Sequence, residues 1–276
     1  MKAEAGRNAV HWGQMVSALT VHRSLSLELS KRDVLGRYRG ATFGLLWSLI
    51  SPFLTLSIYT FAFGSILKSR WPQTSDGSAS FAMILFVGLI VHGFFAECLS
   101  RSATLITNNV NYVKRVIFPL EILPWSMVAA AAFHTLMNMA VFVFLHYLLD
   151  GRISGLVLLF PVVITPLILL AIGIGWIFAA LGVYFRDVSQ VTGVISTAMF
   201  FLSSAMVPVS ALPAAYQPIF RANPLTFIID QAREVALWGH FPDWLGLAQY
   251  SLVSVLVMVI GFVMFQVTRR GFADVL

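Results

Sequence analysis

Charge is what this sequence has least of. Only 11% of its 276 residues are Asp, Glu, Lys or Arg, against about 25% in soluble domains. With 58% of the chain hydrophobic, too little polar surface remains to cover a soluble globule, and an integral membrane protein follows. Cysteine is nearly absent too. The single Cys98 excludes an intrachain disulfide, and in its apolar run it reads as a small packing residue. No Gly-Lys dipeptide occurs, so the chain has no phosphate-cradling loop and is not expected to hydrolyse ATP by itself. There is no H-E-x-x-H and no paired-cysteine metal pattern. The six histidines are dispersed, and no nucleophile, base and orienting group converge. A membrane-embedded glycosyl- or acyltransferase therefore lacks its machinery. Carboxylates and cations inside the apolar runs are too few for an ion-coupled secondary transporter. Residues 1–28 are too polar to supply the core of a cleavable signal.

Long hydrophobic runs fill the rest. A helix needs about 20 apolar residues to cross a bilayer, and six runs qualify: 41–67, 81–99, 120–149, 156–185, 188–207 and 250–267. Only Arg186 and Asp187 separate the fourth from the fifth, which predicts a tight hairpin. Pro161 and Pro166 predict a bend near the start of the fourth. The net charge of +6 does not argue for nucleic acid, because the basic residues lie beside the apolar runs. With the N-terminus inside, thirteen of the eighteen Lys and Arg fall on cytoplasmic segments, which predicts N-in and C-in. The expected organisation is a cytoplasmic segment 1–40, a six-span domain 41–267 and a cytoplasmic tail 268–276.

Three connecting segments carry pattern. In 15–40, Leu27, Val34 and Tyr38 recur at helical spacing among Lys31, Arg32, Arg37 and Arg39. That predicts an amphipathic helix on the inner leaflet; an ordinary polybasic stop is the alternative. The segment 107–124 is short, basic and bounded by Pro119 and Pro124. It suits docking into a groove on a soluble partner, or is a plain loop anchored by Lys114 and Arg115. The loop 208–249 is long yet apolar, broken by Pro213, Pro218 and Pro224. It predicts short outer helices in the membrane interface or re-entering it, with a surface loop as the alternative. Asp230, Arg233 and Glu234 share about one turn there, and Arg233 has the spacing to pair with Asp230. Inside the spans, Glu97 and Arg101 have the favourable order for a helix pair. A lone His134 reads as a hydrogen-bonded packing residue. Ala171, Gly175 and Ala179, then Gly193 and Thr197, form small-residue faces for close helix approach.

The order of residues also carries a resemblance. The stretch KRDVLGRYRGATFGLLWSLISP at 31–52 resembles the opening of the membrane subunit of ABC-2 type exporters, especially those that move polysaccharides. Asn109, Val113, Lys114, Arg115, Phe118, Pro119, Leu123 and Pro124 are similar to that family's coupling segment. NPLTFIIDQARE, from Asn223 and Pro224 to Glu234, is similar to its signature after two short outer gate helices. The resemblance spans about residues 26–270. It implies an all-α inner-membrane permease with six transmembrane helices, an N-terminal interface helix and short re-entrant outer helices before the sixth. It implies a homodimer with two copies of a separate ATP-binding subunit, which would hold the ATP and magnesium; this chain itself would bind no cofactor. Asn109, Lys114, Arg115, Phe118 and Pro119 would then couple to that subunit, and Asn223, Pro224, Asp230, Arg233 and Glu234 would form the outer gate. The implied cargo is a lipid-linked polysaccharide of O-antigen or capsule type, with a small lipophilic or lipo-oligosaccharide cargo as the alternative. Aromatic residues make up 13% of the chain. Rings such as Trp47, Tyr59 and Phe63 in the first span could stack on sugar faces, or simply face lipid.

Overall fold

A computed structural model describes residues 20–62, 78–114, 118–151 and 153–276. Every regular element among them is helical. The N-terminal helix α1 is Arg23–Arg37. Then follow α2 Trp47–Tyr59, α3 Ser78–Ser102, the single turn α4 Val110–Val113, α5 Leu123–Asp150, α6 Phe160–Tyr184 and α7 Val188–Phe201. The last four are α8 Gln217–Ala222, α9 Pro224–Arg233, α10 Trp244–Thr268 and α11 Phe272–Val275. Among the described residues, five stretches are long and apolar enough to cross a membrane: Gly44–Ala62, Phe81–Ser102, Leu120–Leu149, Gly155–Tyr184 and Trp244–Val275.

Local chemistry sets the boundaries. Pro124 opens α5, where its missing N–H is harmless, and Gly151 closes it at φ 66° with its amide on the Tyr147 carbonyl. Pro161 likewise sits in the first turn of α6, after a 3-10 stretch Gly155–Leu159. It starts the helix where a bend was expected; Pro166 does lie inside it. The last long helix begins at Trp244, six residues before the expected 250, because the Asp243 carboxylate caps it through the Gly246 amide.

The fifth expected span is the main departure. α7 has 14 residues, about 21 Å of helix, against the roughly 30 Å of a bilayer core. The apolar run continues to 207, but the helix stops at Phe201, and Ser203, Ser204 and Ala205 turn into the protein interior.

The expected face through Ala171, Gly175 and Ala179 is buried, and close helix approach also uses glycines not singled out in the sequence. α6 packs most extensively on α10. A Cβ on Gly261 would overlap the Gly173 carbonyl oxygen, and one on Gly182 would overlap the Ala103 carbonyl. Gly175 is buried against side chains only, and a Cβ on Gly193 would meet nothing within 4 Å, so no packing face runs through it. Trp176 is wholly buried between Trp125 and Phe262, and its Nε1 donates to the Glu121 carbonyl.

Contacts sort the connections into two ends of the bundle. Asp33–Arg101 at 2.7 Å ties α1 to the end of α3, and Glu121–Arg269 at 2.8 Å ties the 103–121 segment to the C-terminal turn. The Tyr184 hydroxyl donates to the Thr268 carbonyl at that same proximal end. At the distal end, Gly239 lies against Ser154, and Arg233 reaches Ile84, Ser204 and Ala205.

Candidate functional site

Helix α1 lies alongside α5 and does not stand apart from the bundle. Its buried residues are Leu29, Ser30 and Val34. Leu27, expected on the apolar side of a helix at the leaflet, is 66% exposed. Lys31, Arg32, Arg37 and Arg39 are exposed, and Tyr38 is half-buried just after the helix. Two of the arginines are engaged. Arg37 lies 2.9 Å from Glu97 and 3.0 Å from His134 Nδ1. Arg32 donates to the Tyr112 hydroxyl, with its guanidinium 5.6 Å from the centre of that ring.

Glu97 is the hub of this cluster. It accepts from Arg37, from Arg101 at 3.3 Å and lies 3.0 Å from His134 Nδ1. A proton on Nδ1 donates to Glu97; without it, Nδ1 accepts from Arg37. His134 Nε2 is buried with no partner among the described residues. The i,i+4 pair with Arg101 is present, but the sequence did not reveal that Arg37 and His134 complete it. Burial holds the Tyr38 hydroxyl above its ordinary range; Arg37 opposes that shift and Glu97 adds to it.

These groups line a cavity of about 860 Å³ between α1, α2, α3, α5 and α7. Its polar wall carries Asp33, Arg37, Tyr38, Glu97, Arg101 and His134, and its apolar wall includes Trp47, Pro52 and Phe94. Of the three aromatic candidates in the first span, Trp47 is on this wall. Tyr59 packs instead at the distal end with Phe81, Ile84 and Leu85, and Phe63 lies outside the described residues. His92 donates to the Ser196 carbonyl at 3.1 Å and so fixes α7 on α3 above the cavity.

The 107–124 segment presents one helical turn, α4, after a 3-10 turn at Thr107–Asn109. Asn109 donates to the Leu105 carbonyl and is spent on the turn. Lys114 is exposed, Phe118 and Pro119 are half-buried, and Arg115 lies outside the described residues. Phe118 stacks on Tyr112 at 4.3 Å and 7°, so this segment touches α1 through Arg32.

The distal residues assemble differently from expectation. Asn223 caps α9 by accepting from the Leu225 amide, and its Nδ2 donates to the Met199 carbonyl in the last turn of α7. Pro224 fills the first helical position. Arg233 keeps the expected pair with Asp230, but it is completely buried. It donates to the carbonyls of Ile84 at 3.1 Å, Ser204 at 2.7 Å and Ala205 at 2.8 Å. Asp230 stands farther away at 3.6 Å with its side chain 44% exposed. Glu234 pairs with His240 at 2.8 Å. The cation thus occupies the broken end of α7, where free carbonyls and the helix dipole favour positive charge. This is the reason α7 can stop short inside an apolar run. Gly88 makes room: a Cβ there would lie 3.0 Å from the guanidinium.

Comparison with known proteins agrees in extent with this architecture. The family model described as ABC-2 type transporter matches residues 26–237. The O-antigen export system permease protein RfbA of Myxococcus xanthus is 25% identical over 263 residues, covering 95% of this chain and 98% of the relative. The polysialic acid transport protein KpsM of Escherichia coli is 26% identical, covering 87% of this chain and 92% of the relative. The daunorubicin resistance ABC transporter permease protein DrrB1 of Streptomyces coeruleorubidus is 25% identical, covering 68% of this chain and 66% of the relative.

Proposed function

Because this chain belongs to the ABC-2 type transporter family, we propose that it is the permease subunit of an exporter for a lipid-linked polysaccharide. The observation that carries this reading is the near full-length likeness to relatives named for O-antigen export and polysialic acid transport. The chain is a transport subunit and not itself an enzyme. It works as a homodimer with two copies of an ATP-binding subunit, which holds ATP and magnesium. The proximal end is cytoplasmic, so the membrane is the cell's inner membrane and both termini are inside. Six crossings fit a shared end for α1 and α11, with α7 and the buried 202–205 turn forming a shortened fifth. The outer segment 208–249 re-enters from the distal side.

In this reading Asn109, Lys114, Arg115, Phe118 and Pro119 lie on the surface that receives the ATP-binding subunit. Glycan passes along a path shared by two copies, and the Trp47 wall of the cavity borders it. Asn223, Pro224, Asp230, Arg233 and Glu234 hold the distal gate. Likeness to the daunorubicin resistance permease supports a second reading, a smaller lipophilic cargo.

Co-purification with the cognate ATP-binding subunit tests the class. Wild-type permease should retain that subunit and stimulate its hydrolysis. Lys114→Glu with Arg115→Glu should insert normally yet lose the association, because like charge placed against a complementary surface costs several kcal/mol. Retained association with normal export would reduce this segment to a topology anchor. Deletion of the gene tests the cargo: loss of surface glycan supports polysaccharide, and unchanged glycan with new drug sensitivity supports the second reading.

A further inference from the structure

A second groove, apart from the polar cavity, lies beside the N-terminal half of α1. It encloses about 340 Å³ between α1, α5 and α6. Leu27, Trp125, Val128, Ala132, Ile168 and Ile172 make its walls, with Arg23 exposed beside them. From Trp125 to Ala132 is about 10 Å of helix, so the groove runs from the proximal start of α5 into the apolar layer, and Arg23 is the one charged residue among the described residues that line it. Leu27 is 66% exposed on a helix otherwise packed on the bundle.

We propose that this groove is a binding site for one anionic phospholipid of the leaflet at the proximal end. The headgroup phosphate sits at Arg23, and an acyl chain covers Leu27, Val128 and Ile168. One cation beside an apolar slot matches the charged head and apolar tail of an anionic phospholipid. Cargo is a poor match, because the polar groups that could hold a sugar or its linkage line the other cavity, at Asp33, Arg37 and Tyr38. The bound lipid would wedge α1 against α5 and set the position of the helix that carries Arg37. The site stands on membrane embedding alone and does not depend on which cargo is moved.

Native mass spectrometry of the full-length protein in mild detergent, incubated with equimolar phosphatidylglycerol and phosphatidylethanolamine, tests it. A tightly held phospholipid adduct should appear, with phosphatidylglycerol favoured about fivefold, the effect of one basic side chain at a membrane surface. Arg23→Gln should bring that ratio close to one while an adduct remains. Ala129→Trp, from an exposed position on the groove wall, should remove the adduct of both lipids. An unchanged phosphatidylglycerol preference in Arg23→Gln, or unchanged adducts in Ala129→Trp, overturns the site. Displacement of the adduct from the parent protein by a polyprenyl phosphate overturns it as well, by assigning the groove to the cargo's lipid.

Discussion

Removing the Arg233 guanidinium should unlock the distal end of the bundle. The Ile84 carbonyl lies within α3 and keeps its helical setting, but the Ser204 and Ala205 carbonyls lie in the non-helical chain after α7. In Arg233→Ala both lose a charged donor while staying buried. A buried acceptor left without a partner costs about 1–3 kcal/mol. Relief from holding a guanidinium away from water offsets part of that, and a net loss of about 3–5 kcal/mol is expected. Total stability of a typical domain is only about 5–15 kcal/mol. At roughly 2–4 °C per kcal/mol, the unfolding midpoint should fall by on the order of 10 °C. Intrinsic tryptophan fluorescence during a thermal scan in detergent would measure it. Arg233→Lys should recover only part, since one ammonium cannot reproduce the planar fork that reaches three oxygens. Asp230→Asn separates this account from a simple ion pair. That carboxylate is 3.6 Å away and 44% exposed, so its loss should cost less than about 1 kcal/mol. If Arg233→Ala melts within about 2 °C of the parent, well under the scale set by two orphaned carbonyls, the guanidinium does not staple α7 and the reasoning fails.

Gly261→Ala should reduce yield and stability by about 1–3 kcal/mol or more, because its Cβ would press on the Gly173 backbone; Gly193→Ala, with nothing within 4 Å, should stay within about 0.5 kcal/mol of the parent in the same size-exclusion and melting assays. Glu97→Gln should loosen α1 without lowering the melting point much, since Arg37 is half-exposed and such pairs contribute about 1 kcal/mol or less. Thiol labelling of Val34→Cys in a Cys98→Ser background should then rise, and an unchanged rate would mean that apolar packing alone holds the helix. Tyr216→Cys in that background, at an exposed distal position, should label from outside intact cells and not from the cytoplasmic face of inverted vesicles; the reverse would invert the proposed orientation.

The sequence made the helical class, the long spans and the short link at Arg186–Asp187 legible, and it missed how the helices face one another. The reason lies in the solvent. In water, hydrophobic periodicity separates a buried face from an exposed one. In a bilayer both faces are apolar. Leu54, Ile58, Phe61 and Val194 are exposed while Leu85, Ile90 and Leu99 are buried, and nothing in their chemistry tells the two groups apart. In α1 likewise Leu27 is exposed while Leu29, two residues on, is buried. For the same reason the apolar run through 202–207 read as more helix, although Ser203 and Ser204 turn inward there.

Polar residues inside apolar runs carry the information that periodicity cannot. Each must find a partner where water is absent, and that partner is commonly far away in sequence. Arg233 does pair with Asp230, as local spacing offers, but its shorter contacts are to oxygens at 84, 204 and 205. Glu97 looked complete with Arg101, yet it also gathers Arg37 and His134. Glu121 finds Arg269 across nearly the whole chain. Together these long-range pairings fix α1 to α3, the 107–124 segment to the C-terminal turn, and α9 to the broken end of α7. The side chains a membrane protein has fewest of are therefore the ones that set how its helices are joined, and substitutions at them should perturb the joints before they perturb the spans.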